Sequence, residues 1–199
     1  MNLQTFILIG RPGCGKGTQA ELLQKYIKEN DKEARPVFYL ESGQKFREFI
    51  EEPSFTARKA KEIQVSGGLQ PSFLAVHLWS HIMIENMTGS EHLVIDGTPR
   101  KVAECLALDS AMKFYDRKNP TILYLNVSEK WSFDRLSGRG RTDDQGIERI
   151  TRRLKLFETD IVPTLEHLKQ NKDYRFIDIN GEQSVEDVQK EILSKIFIK

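Results

Sequence analysis

Phe6-Ile7-Leu8-Ile9-Gly10-Arg11-Pro12-Gly13-Cys14-Gly15-Lys16-Gly17-Thr18 is the stretch that decides the fold. An apolar run leads straight into a glycine-rich loop, a lysine and a hydroxyl. Residues 10–16 fit G-x-x-x-x-G-K, with Gly17 next and the hydroxyl one place later, on Thr18. Glycines let such a loop curl until successive backbone N–H groups point inward at phosphate oxygens. Residues 19–28 read as a helix with Leu22, Leu23, Tyr26 and Ile27 on one face. Its N-terminus adds partial positive charge to the loop. Gly13, Cys14, Gly15, Lys16, Gly17 and Thr18 are therefore the candidate triphosphate-binding residues. Lys16 can reach the outer phosphates, and Thr18 is the candidate Mg²⁺ ligand.

Working outward, short apolar strands are expected at 37–40, 92–95, 121–127 and 175–179. Helices are expected at 44–50, 55–65, 72–85, 102–115, from about 128, at 147–168 with a bend at Pro163, and at 185–196. In the helix at 72–85, Phe73, Val76, Leu78, Ile82 and Met83 are expected to be partly buried. Strands alternating with helices predict an α/β fold, a parallel sheet with helices on both faces. Ligands of such folds bind at the carboxyl ends of the strands. Asp96 follows the strand at 92–95, where an acid can hold Mg²⁺ directly or through water. Asp-Gly is also a common turn, and the following Pro99-Arg100 favours the metal reading by placing a guanidinium nearby.

The 199 residues suffice for one domain. Hydrophobic residues are 39%, charged residues 30% and the net charge +1, so no global field calls for nucleic acid or a membrane. Cys14 and Cys105 are far apart, which suggests neither a zinc site nor a disulfide framework. His77 and His81 stand i, i+4 without a third ligand nearby and read as solvated or core-edge histidines. The apolar N-terminal run is short and lacks a cationic segment ahead of it, so it reads as a strand in a cytoplasmic protein.

Arg47, Arg100, Arg135, Arg139, Arg141, Arg152 and Arg153 fall near predicted strand ends or on helices beside loops. Guanidinium forks bind phosphate oxygens in pairs and keep their charge. So many suggest two phosphorylated substrates whose repulsion must be neutralised during transfer.

Taken in order, the motifs resemble the adenylate kinase family of nucleoside monophosphate kinases. Gly10 to Ala20 resembles its phosphate loop, Glu41-Ser42-Gly43-Gln44-Lys45-Phe46-Arg47 its S-T-G-D-x-x-R segment, and Gly68-Leu69-Gln70-Pro71 its G-x-L-V-P segment. Asp96-Gly97-Thr98-Pro99-Arg100 resembles D-G-F-P-R. Arg135 to Arg139 matches R-x-x-G-R, and Arg141-Thr142-Asp143-Asp144 matches R-x-D-D.

The resemblance implies the P-loop NTPase three-layer fold and transfer of phosphate from ATP to AMP with Mg²⁺. It implies a core at 1–40, 71–137 and 145–199, an acceptor-binding arm at 41–70 and a short lid at 138–144 that carries no zinc. Lys16, Arg100, Arg139, Arg141 and Arg153 would be catalytic, with Arg152 an alternative to Arg153. Arg135 would stack on the ATP base and Gln183 would approach it by its backbone. Ser42, Arg47, Gly68, Leu69, Gln70, Gly97, Thr98, Pro99, Arg100, Glu104, Arg141 and Arg153 would bind the acceptor. Thr18 and Asp96 would hold Mg²⁺. ATP and the monophosphate would be the partners of a monomer that binds neither nucleic acid nor membrane.

Departures from the family pattern bear on the acceptor. Ser42 replaces a threonine and Gln44 an acid. Glu104, four residues after Arg100, stands where the family carries a glutamine that reads adenine. An ionised carboxylate only accepts hydrogen bonds. GMP, with two adjacent donors, or CMP then becomes a candidate acceptor beside AMP, unless Glu104 is simply solvated. A nucleotide-binding module with weakened catalysis is a further alternative.

Overall fold

A computed structural model describes residues 1–138, 140, 144 and 146–197. Five strands form one parallel sheet: β1 (Thr5–Gly10), β2 (Val37–Glu41), β3 (His92–Asp96), β4 (Thr121–Asn126) and β5 (Arg175–Asn180), in the order β2-β3-β1-β4-β5. The register sets Leu8 beside Asp96 and Glu41 beside Asp96 across the neighbouring pairs. Gly10, Glu41 and Asp96 thus end their strands along one edge of the sheet.

Alternation along β1 divides the core. Phe6 and Leu8 pack with Ala20, Leu23 and Ile27 of α1 (Lys16–Asn30) and with Val188 and Ile192 of α9 (Val185–Phe197). Ile7 and Ile9 face the other way, onto Trp79 and Met83 of α4 (Ser72–Asn86) and Leu108 of α5 (Val102–Phe114). Helix α8 (Val162–Gln170) adds Leu165 and Leu168 to that second face. Because β1 and β3 feed helices on opposite faces, a crevice opens between their carboxyl ends, as expected of doubly wound sheets. Near it stand α2 (Ser42–Phe49), α3 (Phe55–Val65), α6 (Glu129–Ser137) and α7 (Ile147–Leu156).

The strands and helices appear in the predicted order, with local corrections. Helix α1 begins at Lys16, inside the glycine-rich loop, because Gly15 at φ 96° takes the left-handed conformation that starts it. On α4, Leu74, Ala75, Trp79 and Met83 are buried, whereas Phe73 is 71% exposed. Apolar residues surround this helix, so periodicity selects no face, and burial of the indole decides which way it turns. The long helix expected at 147–168 is interrupted by a π-helical turn, Phe157–Ile161, between α7 and α8. Pro163 follows at once, in the first turn of α8. It has no N–H for the preceding turn and its ring crowds the carbonyl there; a widened turn relieves both.

The amino-terminal edge of the sheet is tied by a buried polar cluster. Arg35 Nε donates to Asp31 Oδ2 at 2.9 Å. His92 accepts the Gln4 N–H on Nδ1 at 3.1 Å, and its Nε2 lies 3.3 Å from Asp31 Oδ2. Hydrogen bonds from Arg35 hold the Asp31 carboxyl far below the usual range, and burial lowers the His92 pKa. Among the described residues no helix is long and apolar enough to cross a membrane.

Candidate active site

A cleft of about 660 Å³ lies over the crevice. The phosphate loop forms one wall, with Gly13, Gly15, Lys16, Gly17 and Thr18. Lys16 folds back over this loop, donating from Nζ to Gly10 O at 2.9 Å and Arg11 O at 3.0 Å. The loop is braced from outside by the Ser132 hydroxyl of α6, which donates to Pro12 O. Gly10 has no room for a side chain: a Cβ there would lie 2.5 Å from Leu125 O and 2.7 Å from Cys14 Sγ. Leu125 is held in β4, so the loop would have to give way. Gly10→Ala is expected to cost about 1–3 kcal/mol of stability, read from denaturant melts. Unchanged stability would show that the loop sits looser than this packing implies.

The wall facing the loop is built around two arginines. Arg47 comes from α2, and its Nη2 donates to Glu41 Oε1 at 3.0 Å. Arg100 follows β3 and is anchored by Nε to Gly97 O at 2.7 Å. A Cβ placed on Gly43 would lie 3.4 Å from Arg47 Nη1 and 3.8 Å from Arg100 Nη2. One terminal nitrogen of each guanidinium therefore lies within 4 Å of the same position beside Gly43. Like charges so close favour an anion between them. Pro99, Gly97, Gly68, Leu69 and Gln70 line the same wall. Arg153 reaches it from α7 and pairs with Asp144, while Arg152 is exposed. The sequence left that choice open, and the geometry selects Arg153 as the cleft-facing residue. Arg135 also lines the cleft, with its guanidinium carbon 4.4 Å from the centroid of the Trp131 ring.

Asp96 sits between the two halves. Burial pushes its pKa up, opposed chiefly by the charge of Lys16, and the Tyr39 hydroxyl donates to Oδ2 at 3.3 Å. Burial also raises the Tyr39 pKa, so it stays a neutral donor. A Cβ on Gly17 would lie 3.8 Å from Asp96 Oδ2, which places the start of α1 against this carboxylate. Asp96 and the exposed Thr18 hydroxyl suit a divalent cation held partly through water. Mg²⁺ keeps most of its waters and takes one or two carboxylates besides phosphate oxygens. A cation here would also offset the cost of burying Asp96.

Several predicted residues are not brought to the cleft wall by their side chains. Cys14 is buried in the α1 face of the core. The Ser42 hydroxyl donates to Asp96 O at 3.1 Å, and Thr98 is buried. Gln183 lies beyond β5 with its amide on Asn180 O and Glu191 Oε2. Gln44 is exposed and bonds Glu48. Glu104 is buried, 2% exposed, and its Oε2 accepts the Arg100 N–H at 2.8 Å. Burial raises its pKa, and the Arg100 N–H and guanidinium oppose that. The reading of Glu104 as a solvated residue is thereby overturned. Arg139 and Arg141 lie outside the described residues. His77 and His81 are exposed on α4, and neither lines the cleft.

Sequence reasoning missed Glu41, Phe46, Gln64, Leu156 and Ile161, all of which line the cleft. Glu41 carried a signal, as the last residue of a strand on the ligand-bearing edge. The others depend on how the helices at 42–65 and 147–170 fold over the sheet, which local pattern does not encode.

An adenylate kinase family model matches residues 8–173. The chain is 29% identical over 190 residues to an adenylate kinase of Flavobacterium psychrophilum, covering 94% of each chain. It is 28% identical over 186 residues to adenylate kinase 1 of a Nostoc species, covering 94% of this chain and 95% of the relative. To an adenylate kinase of Mycolicibacterium smegmatis it is 32% identical over 165 residues, covering 83% and 86%.

Proposed function

The chain belongs to the adenylate kinase family and is thus a phosphotransferase with a phosphate group as acceptor; from that premise we propose that it transfers the γ-phosphoryl group of ATP to AMP, yielding two ADP. The observation that carries this reading is the pairing of Arg47 and Arg100 beside Gly43, across Asp96 from the phosphate loop.

In this reading the loop N–H groups and Lys16 hold the donor phosphates. Lys16 exchanges the Gly10 and Arg11 carbonyls for phosphate oxygens. Arg47 and Arg100 grip the acceptor phosphate, and Arg153, with Arg139 and Arg141, attends the transferring group. The acceptor phosphate is already anionic near neutral pH, so no protein base is needed. Alignment, charge neutralisation and exclusion of water carry the rate. Mg²⁺, held by Asp96 and Thr18 partly through water, would neutralise charge on the donor phosphates. Residues 41–70 serve as the acceptor arm and 138–144 as a short lid, in a cytoplasmic monomer.

The sequence leaves a second acceptor open. Glu104 stands where the family carries a glutamine, and an ionised carboxylate only accepts hydrogen bonds; it is buried beside Arg100 and does not line the cleft, so a base would reach it only through movement of that wall. Guanine presents two adjacent donors that suit it, and GMP is the alternative substrate; CMP would require the protonated carboxyl. The test is NDP formation from ATP and Mg²⁺ with AMP, GMP, CMP and UMP. Dominant turnover of AMP supports the first reading, and dominant turnover of GMP the second. ATP binding without transfer to any acceptor would leave a nucleotide-binding module and defeat both. Glu104→Gln is expected to shift the GMP-to-AMP ratio of kcat/KM toward AMP by about 10- to 100-fold, the value of a well-placed hydrogen-bond pair on a base edge. An unchanged ratio removes Glu104 from acceptor choice.

A further inference from the structure

We propose that Arg11 is a positioning residue that sets the phosphate loop and the helix carrying Arg153 against each other. Its place directly after Gly10 suggests a phosphate contact, but the side chain leads elsewhere. Nε donates to Val127 O at 2.9 Å, just past the end of β4. The guanidinium carbon lies 4.3 Å from the centroid of the Phe157 ring, and Nη1 lies 2.5 Å from Glu158 Oε1. Phe157 and Glu158 open the π-helical turn that separates α7 from α8. Arg153 stands one helical turn earlier on α7, and Leu156, just before that turn, and Ile161, its last residue, line the cleft.

The main chain of Arg11 belongs to the loop itself. Its carbonyl accepts from Lys16 Nζ at 3.0 Å and from the Cys14 N–H at 3.2 Å. One residue therefore holds Lys16 with its backbone and the end of α7 with its side chain. An isolated exposed ion pair would contribute little. Here the pair is combined with a carbonyl bond and a stack on a fully buried ring, and the Arg11 side chain is only 15% exposed. A flat, forked cation can make all three contacts at once, and lysine cannot. The turn it pins is of a kind that recurs at functional sites and adds a residue to the helix, shifting the phase between the segments on either side.

The inference goes beyond the proposed reaction but is read through it, so wild-type turnover is the control. Arg11→Ala, Arg153→Ala and the double variant are compared by kcat at saturating substrates, with melting temperatures recorded alongside. Arg11→Ala is expected to lower kcat by about 10- to 100-fold, the cost of misplacing charged groups by about an ångström. The double variant is expected to lose less than the product of the two single losses, because Arg11 acts through the placement of Arg153. Losses that simply multiply, or a lower melting temperature at wild-type kcat, overturn the proposal. If Arg11→Ala does not fold, Glu158→Gln replaces it in the same cycle with the same two outcomes. Absence of turnover in the wild type would defeat the proposed reaction instead, and the cycle would then be read on ATP affinity.

Discussion

Lys16→Met is expected to lower kcat by about 10³ while leaving the fold intact, the scale of loss when one preorganised charge is taken from a transition state. Among the described residues, Lys16 hydrogen-bonds the carbonyls of Gly10 and Arg11 and the Cys14 thiol. Methionine keeps most of the side-chain length and gives up contacts worth about 1 kcal/mol each. The melting temperature should therefore fall by at most about 10 °C, without loss of the fold. If Lys16 meets the donor phosphates mainly as charge builds on them, kcat falls further than ATP affinity does. Single-turnover rates with ATP and the preferred monophosphate, beside ATP titrations, separate the two. A kcat within tenfold of wild type would place the ammonium away from the transferring group.

Arg100→Met is expected to reduce kcat/KM for the monophosphate by about 10³, with ATP affinity nearly unchanged, as expected when one partner of a charge-assisted phosphate clamp is lost. The asymmetry follows from position: Arg100 lies beside Arg47, whereas the loop proposed to hold ATP lies on the other side of Asp96. Loss of solvent around Arg100 works against its charge, and the Glu104 carboxylate supports it. The substitution leaves Glu104 buried with one cation fewer, although the backbone N–H of residue 100 still caps it. A stability loss of about 1–3 kcal/mol is expected to accompany the kinetic effect. Equal losses toward ATP and the monophosphate would contradict the division of the cleft into donor and acceptor sides.

How far the sequence could be read depended on the range of the forces involved. The phosphate loop was legible because a curled backbone and a helix start need glycines at fixed places, and Gly15 takes the left-handed conformation such a start requires. Asp96 and Arg100 were legible because each follows an apolar strand, and the strand ends line up across a parallel sheet. The inward face of α4 was not, because its apolar residues have no dominant side. The π-helical turn was foreshadowed by Pro163, but a proline announces an interruption without stating its form. The course of the Arg11 side chain was beyond reach: its contacts on Val127, Phe157 and Glu158 are 116 or more residues away along the chain.

The polar cluster of Asp31, Arg35 and His92 sits at the opposite end of the strands from Lys16, Asp96 and Arg100. The sheet thus behaves like a hand gripped at the wrist and open at the fingers. The cluster ties the strands at the end away from the cleft. At the working end, arginines crowd together and Asp96 is buried, and both arrangements cost stability in the free protein. Substrates carrying negative charge, and a cation travelling with them, would relieve that tension, so the open end has most to gain from being filled.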